Sequence, residues 1–256
     1  MRPILIQIGN FSLKSYWFFM ALGIIIGGVF IFWEAKKKNL DLQKIKILII
    51  TAIISGFIGA RLFYVFLNFS HYQKNPIKIL QFWKGGFTWD GAFILGLLTI
   101  LLILRDNKQE TGKYLDVMIF GVLLGHSIGR IGCFLNGCCY GIATNVFWAI
   151  ENPTLGDHLS RHPTQLYEAF GYLVVFLLLY FYSRKIKLKN GSLFFIGTFF
   201  HSFVRFIVEY FRYNTNFIRQ GNTWYSALSY AQLMALFIMA ASFFILLTIN
   251  AKENSY

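Results

Sequence analysis

Three arginines, Arg61, Arg130 and Arg205, fall inside long apolar runs of a 256-residue chain. A guanidinium deep in a membrane-spanning helix costs at least about 2.5 kcal/mol on insertion scales unless it snorkels or finds a partner, so each marks a functional site by default. Helical spacing groups them with other polar residues. His201, Arg205 and Glu209 recur every four residues and share one face, as do His126 and Arg130. Two chemistries are open. Arg205 and Glu209 can form an intrahelical ion pair that only makes both tolerable. Alternatively, the guanidiniums form a cationic pocket for a phosphate, whose oxygens match their bidentate fork of donors. For Arg61, snorkelling or pairing is the competing reading.

Other reactive types are sparse. Cys133, Cys138 and Cys139 lie within seven residues, an odd number and too few for a disulfide framework. Their spacing fits neither C-x-x-C nor a zinc finger, so no metal site is expected. Cys138 and Cys139 read as small packing residues in a tight Gly-flanked loop, with a nucleophile or acyl carrier as the alternative. Asp90 opens an apolar run and is either a helix N-cap or a base whose pKa burial raises. His162, before Pro163, reads as a loop-orienting residue, and His126 as a packed polar one.

The elements that must position these residues are helices in a bilayer. The chain is 56% apolar, 19% aromatic and 14% charged, with a mean hydropathy of +0.54. This excludes a disordered or disulfide-stapled protein and makes an ordinary soluble domain improbable. Its net charge of +13 comes in short clusters between apolar runs, the pattern of a membrane protein and not of a basic nucleic-acid-binding face. A hydrocarbon core of about 30 Å needs roughly 20 apolar residues per helix. Seven runs qualify: Ser15 to Trp33, Ile47 to Leu67, Asp90 to Leu104, Tyr114 to Leu135, Leu166 to Ser183, Ser192 to Phe211 and Ser226 to Ile249. The first lacks a small-residue cleavage site and is read as a retained helix. The third is short and follows Gly85-Gly86, as a re-entrant or interfacial entry would.

The expected fold is therefore all-α, a polytopic bundle of about seven spans forming one integral domain over residues 1–256. The loops after runs one, three and five, with Lys252 in the C-terminal tail, hold thirteen of the 24 Lys and Arg; the opposite loops, with Arg219, hold seven. Cytoplasmic loops are the Lys/Arg-rich ones, so the N-terminus is expected outside, the C-terminus inside, and the long loop from Asn136 to Gln165 on the extracytoplasmic side. Gly23/Gly27, Gly121/Gly125 and Gly125/Gly129 are small-residue pairs of the kind that let helices approach closely.

Two loop motifs carry a family resemblance. Gly129-Arg130-Ile131-Gly132-Cys133-Phe134-Leu135-Asn136-Gly137-Cys138-Cys139-Tyr140-Gly141 resembles the signature segment of the bacterial prolipoprotein diacylglyceryl transferases, and Arg161-His162-Pro163-Thr164-Gln165-Leu166-Tyr167-Glu168-Ala169 resembles that family's HPSQLYE segment. Three further blocks fit in order: Tyr16 before Met-Ala-Leu-Gly, Gly59-Ala60-Arg61-Leu62 with Tyr64, and Arg205-Phe206-Ile207-Val208-Glu209-Tyr210-Phe211-Arg212.

The resemblance implies transfer of the diacylglyceryl group of phosphatidylglycerol to the lipobox cysteine of a preprolipoprotein signal peptide. The reaction takes place at the outer face of the bacterial cytoplasmic membrane, makes a thioether and releases glycerol phosphate. Membrane lipid and signal peptides are then the partners, with no cofactor, metal or nucleic acid. By motif position Arg130 and Arg205 bind the lipid phosphate and act in catalysis, and Tyr16, Asn136, Gly141 and Arg61 belong to the binding site. Where the family has histidine in an F-H-G-G segment, this chain has Trp89-Asp90-Gly91-Ala92. Cys138 replaces the glutamate after Asn-Gly, and Cys133 replaces the asparagine after Arg-x-Gly. Asp90 or His201 is therefore the expected base. A family-fold enzyme with another lipid or acceptor, and a non-enzymatic anionic-lipid-binding or transport protein, are the alternatives; the sequence has no internal repeat of the transporter kind.

Overall fold

The computed structural model describes residues 1–9, 11–105, 108–213 and 228–251. Arg219, Lys252 and the expected start at Ser226 lie outside the described residues. The chain divides into two compact units, Met1–Ile31 with Leu115–Tyr256, and Phe32–Tyr114.

Among the described residues six helices are long and apolar enough to cross a membrane: α1 (Ser15–Lys37), α2 (Leu42–Leu67), α5 (Lys108–Asn136), α6 (Thr164–Lys185), α7 (Ser192–Glu209) and α8 (Tyr230–Ala251). The protein is a polytopic helical membrane protein. Large apolar side chains along these helices stay exposed, Ile25, Phe66, Phe170 and Phe244 among them, and only 17% of the most apolar window of α8 is buried. Lipid is the solvent that such faces require. The third expected run becomes α4 (Trp89–Ile103), whose 15 residues reach about 22 Å, short of a full hydrocarbon core. A four-residue helix, α3 (Phe69–Tyr72), and two 3-10 turns at Pro76–Leu80 and Phe82–Lys84 lead into it.

Helix limits depart from the apolar runs where capping or pairing overrides hydropathy. α2 starts five residues before Ile47 because the Asp41 carboxylate accepts hydrogen bonds from the amides of Gln43 (2.8 Å) and Lys44 (3.3 Å). α7 stops at Glu209, short of the expected Phe211, because Ile142 N donates to Phe211 O and Arg212 pairs with Gly141. Two small antiparallel hairpins accompany the helices: β1 (Ile4–Ile8) with β2 (Phe11–Lys14), and β3 (Ile150–Glu151) with β4 (Ser160–Arg161).

In the first unit α1 packs on α5 through glycines. A Cβ at Gly23 would lie 2.5 Å from Gly125 O, and one at Gly27 would lie 2.6 Å from Gly121 O. Backbone meets backbone there, as the small-residue spacing implied. In the second unit α2 packs on α4 in the same way, Gly59 against Gly91.

Candidate active site

α5, α6 and α7 each contribute one charged residue and, one turn away, one aromatic ring. The charged layer is Arg130, Glu168 and Arg205. Glu168, on α6 and 2% exposed, places Oε2 2.6 Å from Arg130 Nε and accepts a hydrogen bond on Oε1 from Arg205 Nη1 at 2.5 Å. The aromatic layer is His126, Tyr172 and His201. His126 Nδ1 lies 2.9 Å from His201 Nε2, one ring donating and the other accepting. The Tyr172 ring stacks on His201 at 4.3 Å and on His126 at 4.5 Å. Ser127 Oγ donates to Ala169 O (2.7 Å), which fixes α5 against α6 between the layers.

The charged layer continues to the end of α7. Arg205 Nη2 lies 3.3 Å from Glu209 Oε2, and Arg212 Nη1 lies 3.5 Å from the same oxygen. Ser229 Oγ donates to Glu209 Oε1 at 3.2 Å. The intrahelical Arg205–Glu209 pair read from the sequence thus exists, but the shorter contact of Arg205 runs to Glu168 on another helix. Among the described residues three guanidiniums meet two carboxylates in this network, one positive charge in excess. Arg130 meets Glu168 through Nε, and among the described residues neither of its Nη atoms donates a hydrogen bond.

Depth follows from helical rise. Arg130 is six residues before the end of α5, Glu168 four after the start of α6 and Arg205 four before the end of α7, so each lies about 6 to 9 Å inside its helix.

The loop joining α5 to α6 closes over these helix ends. Gly141 N donates to His162 O at 2.9 Å, and a Cβ at Gly141 would meet His162 and Phe211 O at 2.6 Å, so glycine is required by close approach. The Arg161 guanidinium lies 5.2 and 5.3 Å from the rings of Tyr140 and Tyr213 and pairs with Asp157. His162 Nδ1 lies 3.0 Å from the Tyr167 hydroxyl, as a loop-orienting residue would. Asn136 ends α5, two residues before Cys138. Tyr16 stands in the first turn of α1, where its carbonyl and that of Ser15 would lie 3.3 Å from a Cβ at Gly132.

Arg61 and Asp90 belong to the second unit. Arg61 donates to five backbone carbonyls: from Nε to Ile79 (3.0 Å), from Nη1 to Gly85 (2.6 Å) and Gly86 (3.2 Å), and from Nη2 to Lys78 (2.7 Å) and Gln81 (3.5 Å). Its charge is spent on holding the segment before α4, the pairing alternative of the sequence reading. Asp90 is not the N-cap of α4. That position falls on Thr88, and Asp90 sits in the first turn, where the helix dipole favours a carboxylate.

Sequence reasoning gave Glu168 no role, although it lies in a quoted motif. The available signal was a lone carboxylate one turn inside an apolar helix, which demands a buried cation.

A family model for prolipoprotein diacylglyceryl transferase matches residues 3–248. The chain is 34% identical over 266 residues to the phosphatidylglycerol–prolipoprotein diacylglyceryl transferase of Wolbachia sp. subsp. Brugia malayi (strain TRS), covering 100% of this chain and 98% of the relative. The protein of that name from Clostridium tetani (strain Massachusetts / E88) is 32% identical over 249 residues, 96% of each chain. The one from Finegoldia magna (strain ATCC 29328 / DSM 20472 / WAL 2508) is 30% identical over 254 residues, 99% of this chain and 97% of the relative.

Proposed function

The chain belongs to the prolipoprotein diacylglyceryl transferase family, and on that premise we propose that it transfers the diacylglyceryl group of phosphatidylglycerol to the cysteine thiol of a preprolipoprotein signal peptide. The observation that carries this reading is the single buried carboxylate of Glu168 holding Arg130 and Arg205, from different helices, at 2.6 and 2.5 Å. A network with one positive charge in excess among the described residues, within two turns of three helix ends, fits an anionic lipid phosphate.

The chemistry follows from charge. The thiolate attacks the glyceryl carbon that bears the phosphate ester oxygen; the C–S bond forms as the C–O bond breaks, and the electron pair leaves on the phosphate oxygen. A phosphodiester with one negative charge becomes a monoester with more. Guanidiniums aimed at that phosphate bind the transition state better than the ground state, which is the condition for rate acceleration. The Nη pair of Arg130 supplies the fork, and Arg205 supplies the second charge. Tyr16, Asn136 and Gly141 line the approach from the loop side. His201, backed by His126, accepts the thiol proton, with Asp90 as the second candidate. The positive-inside count supports an extracytoplasmic position for the loop from Asn136 to Gln165, and with it the site, on a bacterial cytoplasmic membrane, with the N-terminus outside and the C-terminus inside.

The test uses the full chain in phosphatidylglycerol-containing nanodiscs with a signal peptide bearing the acceptor cysteine, read by mass spectrometry. A mass gain of one diacylglyceryl group is expected, and Arg130→Ala or Arg205→Ala should each lower the rate about 10²–10³-fold, the usual cost of removing one preorganised donor. No mass gain under conditions where a family relative gives one, or full activity from either variant, overturns the reading. Asp90→Asn and His201→Phe, assayed separately, decide the proton acceptor, and an unchanged rate excludes that residue.

A further inference from the structure

The three cysteines, unpaired by any disulfide, converge. Cys133 is in the last turn of α5, Cys138 and Cys139 follow the helix end, and their three Sγ atoms all lie within 4.8 Å of one another. The convergence is built by the backbone. Gly137 takes φ +75° and Cys139 takes φ +61°, the left-handed region that a cysteine rarely enters. Cys138 N donates back to Cys133 O at 3.2 Å, folding the turn onto the helix.

Three successive carbonyls of this turn are each fixed by a buried side chain. Asn152 Nδ2 donates to Gly137 O (2.8 Å), Gln165 Nε2 to Cys138 O (2.6 Å) and Thr164 Oγ1 to Cys139 O (2.8 Å); all three donor residues are 1% exposed. Two packing residues in a loop would not need three buried polar groups to hold a strained turn. A site that presents sulfurs at fixed positions does need them, because outer hydrogen bonds orient the ligands.

Zinc bound by sulfur at about 2.3 Å in a tetrahedron puts the sulfurs about 3.8 Å apart, within reach of these thiols by small side-chain rotations. Three protein ligands leave one tetrahedral position open, the arrangement of zinc sites that react rather than brace. The cluster also borders the anion site from two sides. On α5 Cys133 is three residues beyond Arg130, and on α6 Gln165, which holds the Cys138 carbonyl, is three before Glu168, so about one helical turn separates Cys133 from Arg130 and Gln165 from Glu168. Three thiolates and a zinc ion together carry one negative charge beside the Arg130 guanidinium.

We propose that Cys133, Cys138 and Cys139 bind a zinc ion whose open fourth position takes the acceptor cysteine. The metal site stands on the geometry alone, and its role as acceptor site rests on the transfer function proposed above. In that role the acceptor thiol gives its proton to the base as sulfur joins the metal. The metal-bound thiolate then forms the C–S bond, and the C–O electron pair leaves with the phosphate. Zinc keeps its oxidation state throughout. At such a site the metal and not a base keeps the sulfur ionised once it is bound.

The experiment uses full-length protein purified in detergent under reducing conditions. Elemental analysis is expected to find about one zinc per chain, and Cys133→Ser, Cys138→Ser and Cys139→Ser are each expected to lose it while keeping wild-type helicity. Stripped protein titrated with cobalt(II) should develop thiolate-to-cobalt charge-transfer bands and the intense visible bands of a tetrahedral site. Asn152→Ala should weaken cobalt binding about 10–100-fold, as loss of a ligand-orienting hydrogen bond does. Zinc no higher than in the triple serine variant, or a disulfide among the three cysteines with no cobalt spectrum, overturns the site. Addition of a peptide bearing the acceptor cysteine should shift the visible bands, and its serine counterpart should not; identical spectra with both overturn the acceptor role. A cobalt site that shifts with the peptide while no diacylglyceryl transfer occurs would overturn the transfer function and leave the metal site standing.

Discussion

Glu168 and Arg205 meet across two helices at 2.5 Å, closer than Arg205 approaches Glu209 on its own helix at 3.3 Å. The tertiary contact therefore fixes where the guanidinium points, and the second oxygen of Glu168 does the same for Arg130. Glu168→Gln keeps the shape but removes the charge, leaving two buried guanidiniums without their shared counter-ion. Breaking a buried pair from one side costs about 3–5 kcal/mol, so the thermal midpoint in detergent should fall and transfer should be lost. Glu168→Asp keeps the charge and is one methylene too short to reach both arginines. It should retain more stability than the glutamine variant yet lose rate about 10²-fold, the penalty for misplacing a positioning group by about 1 Å. Wild-type melting and wild-type transfer by Glu168→Gln would remove Glu168 from the site.

Arg61 is satisfied by five carbonyls between Lys78 and Gly86, which makes it a clamp on the segment before α4. Arg61→Ala should expose residues 76–86 to limited proteolysis at low protease concentration. Arg61→Lys should not restore protection, because a single ammonium cannot reach carbonyls spread around a planar fork. A variant that stays protected but raises KM for phosphatidylglycerol would instead return Arg61 to the lipid.

The membrane spans were legible because a bilayer enforces length and hydropathy together, and the apolar run from Ser15 to Trp33 names the start of α1 to the residue and falls one turn short of its end at Lys37. Helix ends were less so. Nothing in hydropathy says that Asp41 starts α2 a turn early, or that Arg212 leaves α7 to pair with Gly141. The hairpin of β1 and β2 went unread because Ile4 to Lys14 is too short and too mixed to stand out beside the spans. In the site, Arg130 and Arg205 were legible from the cost of charge in lipid, and His126 from its spacing to Arg130. Its pairing with His201 and Tyr172 depends on which helices become neighbours, and that is tertiary information. For the same reason Glu168 had no role, and cysteine spacing argued against a metal where the turn after Gly137 gathers three sulfurs.

Outside the membrane, the Arg161 guanidinium donates to the Asp157 carboxylate and holds its pKa below the ordinary value. A carboxyl lowered on folding contributes stability that is present above its unfolded pKa, near about 4, and is lost as pH falls through the lower folded value. Hydrogen exchange in residues 143–161 should therefore stay constant between about pH 7 and 5 and rise only below about 4. Asp157→Asn should show the faster exchange already at neutral pH. An exposed pair contributes little, so global melting should hardly move in either case; an exchange step centred near about pH 6 would assign the loop's closure to a histidine instead.

Two neighbouring glycines of α1 separate packing from composition. A Cβ at Gly27 would lie 2.6 Å from Gly121 O, a backbone atom that can move only if α5 moves, whereas a Cβ at Gly28 has nothing within 4 Å. Both residues are helical and apolar in setting, so hydropathy scales treat their replacement alike. Gly27→Val should force α1 from α5 and destabilise by about 1–3 kcal/mol, the usual range for overpacking, and because Arg130 rides on α5 the rate of transfer should fall with it. Gly28→Val should leave both melting and rate near wild type, since an extra side chain there only meets lipid. Equal effects from the two variants would mean that α1 and α5 do not rest on each other's backbone. A fall in stability with an unchanged rate for Gly27→Val would show that the spacing of Arg130 and Arg205 is set by Glu168 and not by the α1–α5 contact.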